Sequence, residues 1–264
     1  LTESVFSRIE ATLGKGAPRL VYQPLIRYPT RDIFGFEALF RWHQESSGDL
    51  CPPGTLFDKL EPAHTSELFF WVLDRAVQEV QGLATWTKFD GFLSVNMEAD
   101  QLGDPDLFEH VSRALQTYAM PPERLVLEVT ERRAVPDFPT TQRNMRLLAR
   151  HRIMLAMDDF GDGFASIEYV RKLRPAYLKL SGTMVRNVPH DAFNVAVVRL
   201  AIGFARETGA TLIVEGVEWA EQAKALHELG VRSMQGFLFG MPAPIDDWAG
   251  RLSSRPLPNQ DAQS

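Results

Sequence analysis

The sequence predicts an α/β fold, a TIM-like (β/α)8 barrel with an antiparallel first strand. Short apolar runs alternate with helical stretches of ten or more residues, which indicates βαβ units and parallel pairing. Eight such strands fall within 264 residues, a length at which α/β barrels form one domain. The first run reaches the second through a short turn instead of a helix, which makes that pair antiparallel.

The elements follow in order. Val5, Phe6, Ile9 and Leu13 recur at close to helical spacing, so 2–13 reads as a helix ended by Gly14, Gly16 and Pro18. Residues 19–26 form the first strand, where Pro24 favours an edge or irregular position. A turn over 28–32 leads to the second strand, 33–41. After a Ser/Gly/Pro-rich loop, 65–82 is a strong helix and 92–96 the third strand. A helix over 105–118 precedes Pro121-Pro122 and a fourth strand, 125–131 with its exit loop. A helix follows over 139–150. The fifth strand is the apolar run Ile153–Met157, closed by Asp158-Asp159-Phe160-Gly161. An apolar run of this kind suits a parallel strand buried on both faces. Alternation points one of the two aspartates inward. A short helix near 165–172, a sixth strand over 176–180 and a helix over 191–208 come next. The seventh strand is 211–216, then a helix over 218–229 capped by Gly230, then a weak eighth strand at 231–235. The division is thus a helix and lead-in at 1–18, the barrel at 19–252 and a polar, disordered tail at 253–264.

Hydrophobic residues at 45% and charged residues at 23% fit a soluble globular protein with a sizeable core. A net charge of −6 argues against binding a nucleic acid polymer by bulk electrostatics. The single cysteine, Cys51, excludes an intramolecular disulfide and a cysteine-rich zinc site. No apolar run approaches the ~20 residues that span a bilayer, and no secretory signal opens the chain, so a cytoplasmic location is expected. The first residue is Leu1, so the chain reads as a piece of a longer protein, with a fused regulatory domain expected before it.

Each strand from the second to the eighth offers a polar residue at or near its end: Glu37, Asn96, Glu128, Asp158 with Asp159, Lys179, Glu215 and Gln235. Active sites of these barrels lie at the C-terminal ends of the strands, where all of these would converge. Five carboxylates in one mouth need cations, and oxygen ligands without a Cys or His cluster favour Mg²⁺ or Mn²⁺. Two ions about 3.5–4 Å apart suit phosphodiester hydrolysis. Arg41 can clamp a phosphate and Lys179 can orient the attacking water. Phe69, Phe70, Trp71 and Leu73 read as helix-packing residues.

Glu37-Ala38-Leu39-Phe40-Arg41-Trp42 resembles the signature of the EAL-domain cyclic di-GMP phosphodiesterases. Tyr22-Gln23-Pro24, Asn96, Glu128-Val129-Thr130-Glu131, Asp158-Asp159-Phe160-Gly161, Lys179, Glu215-Gly216-Val217-Glu218 and Gln235-Gly236-Phe237 fall in that family's order. The resemblance covers about residues 19–243. It implies a barrel with an antiparallel first strand and opening of cyclic di-GMP to linear pGpG with Mg²⁺ or Mn²⁺. It implies one ion held by Glu37, Asn96, Glu128 and Asp158, and a second by Asp158, Asp159 and Glu215. Lys179 would sit on the catalytic water, Glu215 is also a candidate base, and Glu131 would brace the loop after the fifth strand, where a homodimer is implied. Gln23, Leu39, Arg41 and Gln235 would contact or support the dinucleotide.

Two positions depart from the pattern. Ser181 stands where the family usually has Asp, on the same face as Lys179 by the period-two rule. Asp162 follows the Asp-Asp-Phe-Gly loop where Thr is usual. Neither removes an expected metal ligand. They leave an alternative: a receptor that binds cyclic di-GMP with little or no hydrolysis and signals to attached domains or a partner.

Overall fold

The computed structural model of the protein describes residues 4–52, 60–130, 138–161 and 167–253. Its strands are β1 (Gly16–Arg27), β2 (Asp32–Gln44), β3 (Leu50–Cys51), β4 (Phe92–Glu98), β5 (Leu125–Thr130), β6 (Met154–Phe160), β7 (Tyr177–Leu180), β8 (Thr211–Val214) and β9 (Ser233–Met234). They form one sheet in the order β1-β9-β8-β7-β6-β5-β4-β2-β3, and β1 also pairs with β2. That pairing closes an eight-stranded barrel and leaves two-residue β3 as an appendage of β2. β1 is antiparallel to both neighbours, and the other barrel pairs are parallel.

Alternation along the strands sorts the side chains into outward and inward sets. Phe36, Leu93, Leu127 and Leu178 are outward residues buried under the helices. The lower interior is apolar, a cluster of Leu25, Phe92, Val126, Ala156 and Ile213. Two residues further along the same inward face stand Gln23, Ser94, Glu128, Asp158, Lys179 and Glu215. The barrel is thus plugged by hydrocarbon at one end and polar at the mouth. An apolar plug beneath a charged layer excludes water from below it and strengthens every electrostatic contact above.

The helices are α1 (Val5–Leu13), α2 (Pro62–Thr87), α3 (Leu107–Thr117), α4 (Phe138–Arg150), α5 (Ile167–Leu173), α6 (Ala192–Thr208), α7 (Ala220–Leu229) and α8 (Ile245–Ser253). α2 is longer than the periodicity predicts, starting with Pro at its first turn and ending at Lys88 in the left-handed region. α8 is an element the sequence reading lacks. Its signals are Asp246 and Asp247 in the first turn and apolar residues at Ile245, Trp248, Ala249 and Leu252. α8 packs against α2 beside the β1–β2 hairpin, which has no helix of its own between its strands. Trp248 is 1% exposed, and its indole N–H donates to Tyr22 O at 3.0 Å. Among the described residues no helix is long and apolar enough to cross a membrane.

Candidate active site at the mouth of the barrel

Glu37 lies on β2, Asn96 on β4, Glu128 on β5, Asp158 and Asp159 on β6, and Lys179 on β7, while Glu215 and Gln235 directly follow β8 and β9. Their convergence is a matter of register: Gln23 pairs with Glu37, Asn96 with Glu128, and Lys179 with Ile213, two residues before Glu215.

Lys179 stands at the centre. Its Nζ lies 2.6 Å from Glu128 Oε2, 2.6 Å from Glu215 Oε1, 3.2 Å from Glu37 Oε2 and 3.4 Å from Asp158 Oδ1. The lysine is 1% exposed. Burial alone would drive the ammonium to lose its proton, but Asp158, Glu128, Glu215 and Glu37 outweigh it and hold the Lys179 pKa well above its ordinary value. Glu37 is the best-supported acid. Burial opposes its charge, but Lys179 and hydrogen bonds from Asn96 Nδ2 (2.7 Å) and Gln235 Nε2 (2.7 Å) pull its pKa below the usual value. Burial and the nearby Glu37 charge push Glu128 well above the usual range despite Lys179. Glu215 is pushed up to about 8, chiefly by burial, against the pull of Lys179. One ammonium cannot neutralise five carboxylates, so the mouth favours additional positive charge.

The β6 exit brings in both aspartates, where alternation alone points one inward. The β6–β7 register shifts between Met157 and Phe160, and Asp159 adopts φ 51°. This bulge breaks the alternation, and Asp is among the residues that tolerate the left-handed region. Ligand atoms of Asp158, Asp159 and Glu215 consequently lie within 4.8 Å of one another. Asp158 Oδ1 is buried and, although within ion-pair range of Lys179, receives no hydrogen bond. A buried acceptor without a donor, in an all-oxygen ligand set, fits a hard divalent cation.

β2 continues past its last pairing with β4, Ala38 with Val95, and forms a wall above the mouth. Glu37, Leu39 and Arg41 share its inner face and line a cavity of about 310 Å³ together with Asn96, Asp158 and Asp159. A second cavity of about 230 Å³ is lined by Gln23, Leu39, Lys179, Glu215 and Gln235. Gln235 Nε2 also donates to Gln23 Oε1 at 3.1 Å, while Gln235 Oε1 is buried with no partner.

Several residues of the site escaped the sequence reading. Ser94, fully buried, donates its hydroxyl to Glu128 Oε1. It was legible, because it precedes Asn96 by two on the same strand face. Thr65, Phe69 and Gln101 line the larger cavity from α2 and the β4 exit, so Phe69 serves the cavity as well as the core. Tertiary packing brings them there, and no local signal marks them. Ser181 is buried at the end of β7 and accepts a hydrogen bond from Thr183 N at 3.3 Å. Glu131 and Asp162 lie outside the described residues.

The EAL domain family model matches residues 7–242 of this chain. The chain belongs to the EAL domain family. This EAL domain is 31% identical over 228 residues to the bifunctional diguanylate cyclase/cyclic di-GMP phosphodiesterase MucR of Pseudomonas aeruginosa, covering 86% of this chain and 33% of MucR. It is 33% identical over 240 residues to the cyclic di-GMP phosphodiesterase RocR of the same organism, covering 88% of this chain and 59% of RocR. The chain thus spans about a third of MucR and little over half of RocR. The solved PaMucR phosphodiesterase in complex with c-di-GMP matches at TM-score 0.81 and 30% identity, covering 92% of this chain and 98% of that one. BlrP1 of Klebsiella pneumoniae, solved as a manganese/cy-diGMP complex, matches at TM-score 0.74 and 23% identity, covering 86% of this chain and 56% of that one. At that identity the match shows the shared fold.

Proposed function

We propose that this EAL domain is a metal-dependent phosphodiesterase that hydrolyses cyclic di-GMP to linear pGpG. The observation that carries the reading is the convergence of five carboxylates, Asn96 and Lys179 at one barrel mouth, below a wall bearing Arg41. In this reading Glu37, Asn96, Glu128 and Asp158 hold one Mg²⁺ or Mn²⁺, and Asp158, Asp159 and Glu215 hold a second. Bound divalent cations would supply Lewis-acid polarisation of the phosphodiester and an activated water at neutral pH.

The chain's own groups do the rest. Lys179, held protonated by its four neighbours, donates hydrogen bonds; it orients the attacking water and offsets charge on the phosphoryl oxygens. Glu215, 2.6 Å from Lys179 Nζ, is the second candidate for handling the water's proton. Arg41 presents a guanidinium fork to a phosphate from the rim. Gln235 Oε1, a buried acceptor without a donor, suits an N–H or hydroxyl of the dinucleotide, and Gln23 and Leu39 shape the wall beside it. A homodimer belongs to the same reading. A cytoplasmic setting and a fused regulatory domain belong to the same proposal, the latter because the matched stretch is 33% of MucR.

Purified protein incubated with cyclic di-GMP and Mg²⁺ or Mn²⁺ is expected to yield pGpG. Tight binding with no product under either metal would overturn hydrolysis and leave the receptor reading. That second reading draws on Ser181, which is hydrogen-bonded within its own turn and adds no carboxylate beside Lys179.

A further inference from the structure

The turn after β7 contributes nothing to the proposed ligand set, yet it touches both segments that do. Ser181 opens it, its side chain capping a 3₁₀ turn over Gly182–Met184. On one side Gly182 lies against Gly216, the residue after Glu215. A Cβ on Gly182 would meet Gly216 Cα at 3.0 Å, and one on Gly216 would meet Gly182 Cα at 2.7 Å. Gly216 also has φ 63°, in the left-handed region that favours glycine. On the other side the Met184 side chain lies against Gly161, two residues after Asp159. A Cβ on Gly161 would meet Met184 Cγ at 2.9 Å. The backbone is tied in the same sense: Ser181 N donates to Phe160 O at 3.4 Å, and Glu215 N to Leu180 O at 3.0 Å.

We infer that the turn Ser181–Met184 is a positioning wedge that sets the separation between Asp158-Asp159 and Glu215, and thereby the affinity of these three carboxylates for a divalent cation. The inference rests on the phosphodiesterase reading for the assignment of that cation. Neither Gly182 nor Met184 carries a side-chain oxygen for a hard ion, so both act through the segments they touch. In a sound metal site the ligand distances lie within about 0.2 Å of the ion's preferred values. A methyl added at Gly182 forces the two backbones apart by a few tenths of an ångström. Outer residues that orient metal ligands typically cost about 10–100-fold in affinity when changed.

Mn²⁺ titration of the purified protein, followed by electron paramagnetic resonance, tests this without reference to turnover. Gly182→Ala is expected to weaken Mn²⁺ binding about ten-fold. Its metal-free melting temperature should fall, because the added methyl presses on the Gly216 backbone, so affinity is compared at a temperature where both proteins are folded. Met184→Ala removes the other side of the wedge and is expected to weaken binding likewise, while Met184→Leu, which conserves volume, retains it. If Gly182→Ala does not fold, the two Met184 variants decide. Wild-type affinity in every folded variant overturns the wedge and leaves the phosphodiesterase reading standing. No Mn²⁺ binding by the wild type overturns both.

Discussion

Lys179 shows how far one residue can organise this mouth. A 1% exposed ammonium in contact with four carboxylates offsets charges that would otherwise be buried unpaired. Lys179→Met is therefore expected to destabilise the metal-free protein by about 3 kcal/mol, read from urea unfolding in EDTA. It should also enlarge the stabilisation that Mn²⁺ brings. Glu215, with Glu128 raised in the same sense, sets the pH response. Its folded pKa of about 8 lies above the ordinary 4.5, so the folded state binds the extra proton. Its contribution to stability is fully present below about 4.5 and is lost as pH rises through 8. Glu37 shifts the other way, so its contribution fades only under acid, below that window. Metal-free thermal melts between pH 5 and 9 should accordingly fall with pH, while Mn²⁺ affinity rises toward a plateau above 8, since the cation must displace the Glu215 proton.

At the scale of elements, two features place the site. The β6 bulge converts an alternating strand into one that presents two consecutive carboxylates. The dipeptide was plain in the sequence, but its bulge depends on the left-handed Asp159 and on the neighbouring β7, which no local pattern reveals. α8 supports the opposite wall. Trp248 is buried against Phe36, with ring centroids 5.5 Å apart, and hydrogen-bonds to the β1 backbone. Glu37 follows Phe36 on β2, so α8 holds from outside the strand that carries Glu37 inside. Trp248→Ala should cost about 3–5 kcal/mol, as a lower midpoint in denaturant melts. It should also weaken Mn²⁺ binding by loosening the Glu37 strand.

For the whole molecule, the division of the barrel interior into an apolar base and a charged mouth is the governing feature. The proposed ligands come from β2, β4, β5, β6 and the end of β8, so a bound cation would tie together strands far apart in sequence. Binding to the folded state alone stabilises by mass action, about 2.7 kcal/mol at a hundred times the dissociation constant. Calorimetric melts with and without Mn²⁺ should show a shift that grows with metal concentration. A melting temperature unmoved at millimolar Mn²⁺ would contradict the proposed metal set.

The sequence by itself determined the barrel, the antiparallel first strand and the polar residues of the mouth. Each depends on local alternation and on turn length, which neighbouring residues encode. It also carried the unused signals for α8 and Ser94. Only the tertiary structure decided that a bulge lets Asp158 and Asp159 both reach the mouth, that Lys179 is shared by four carboxylates, and that Phe69, Thr65 and Gln101 complete the cavity. Those outcomes depend on register between strands and on packing across the fold, and such distances are not written in any one stretch of chain.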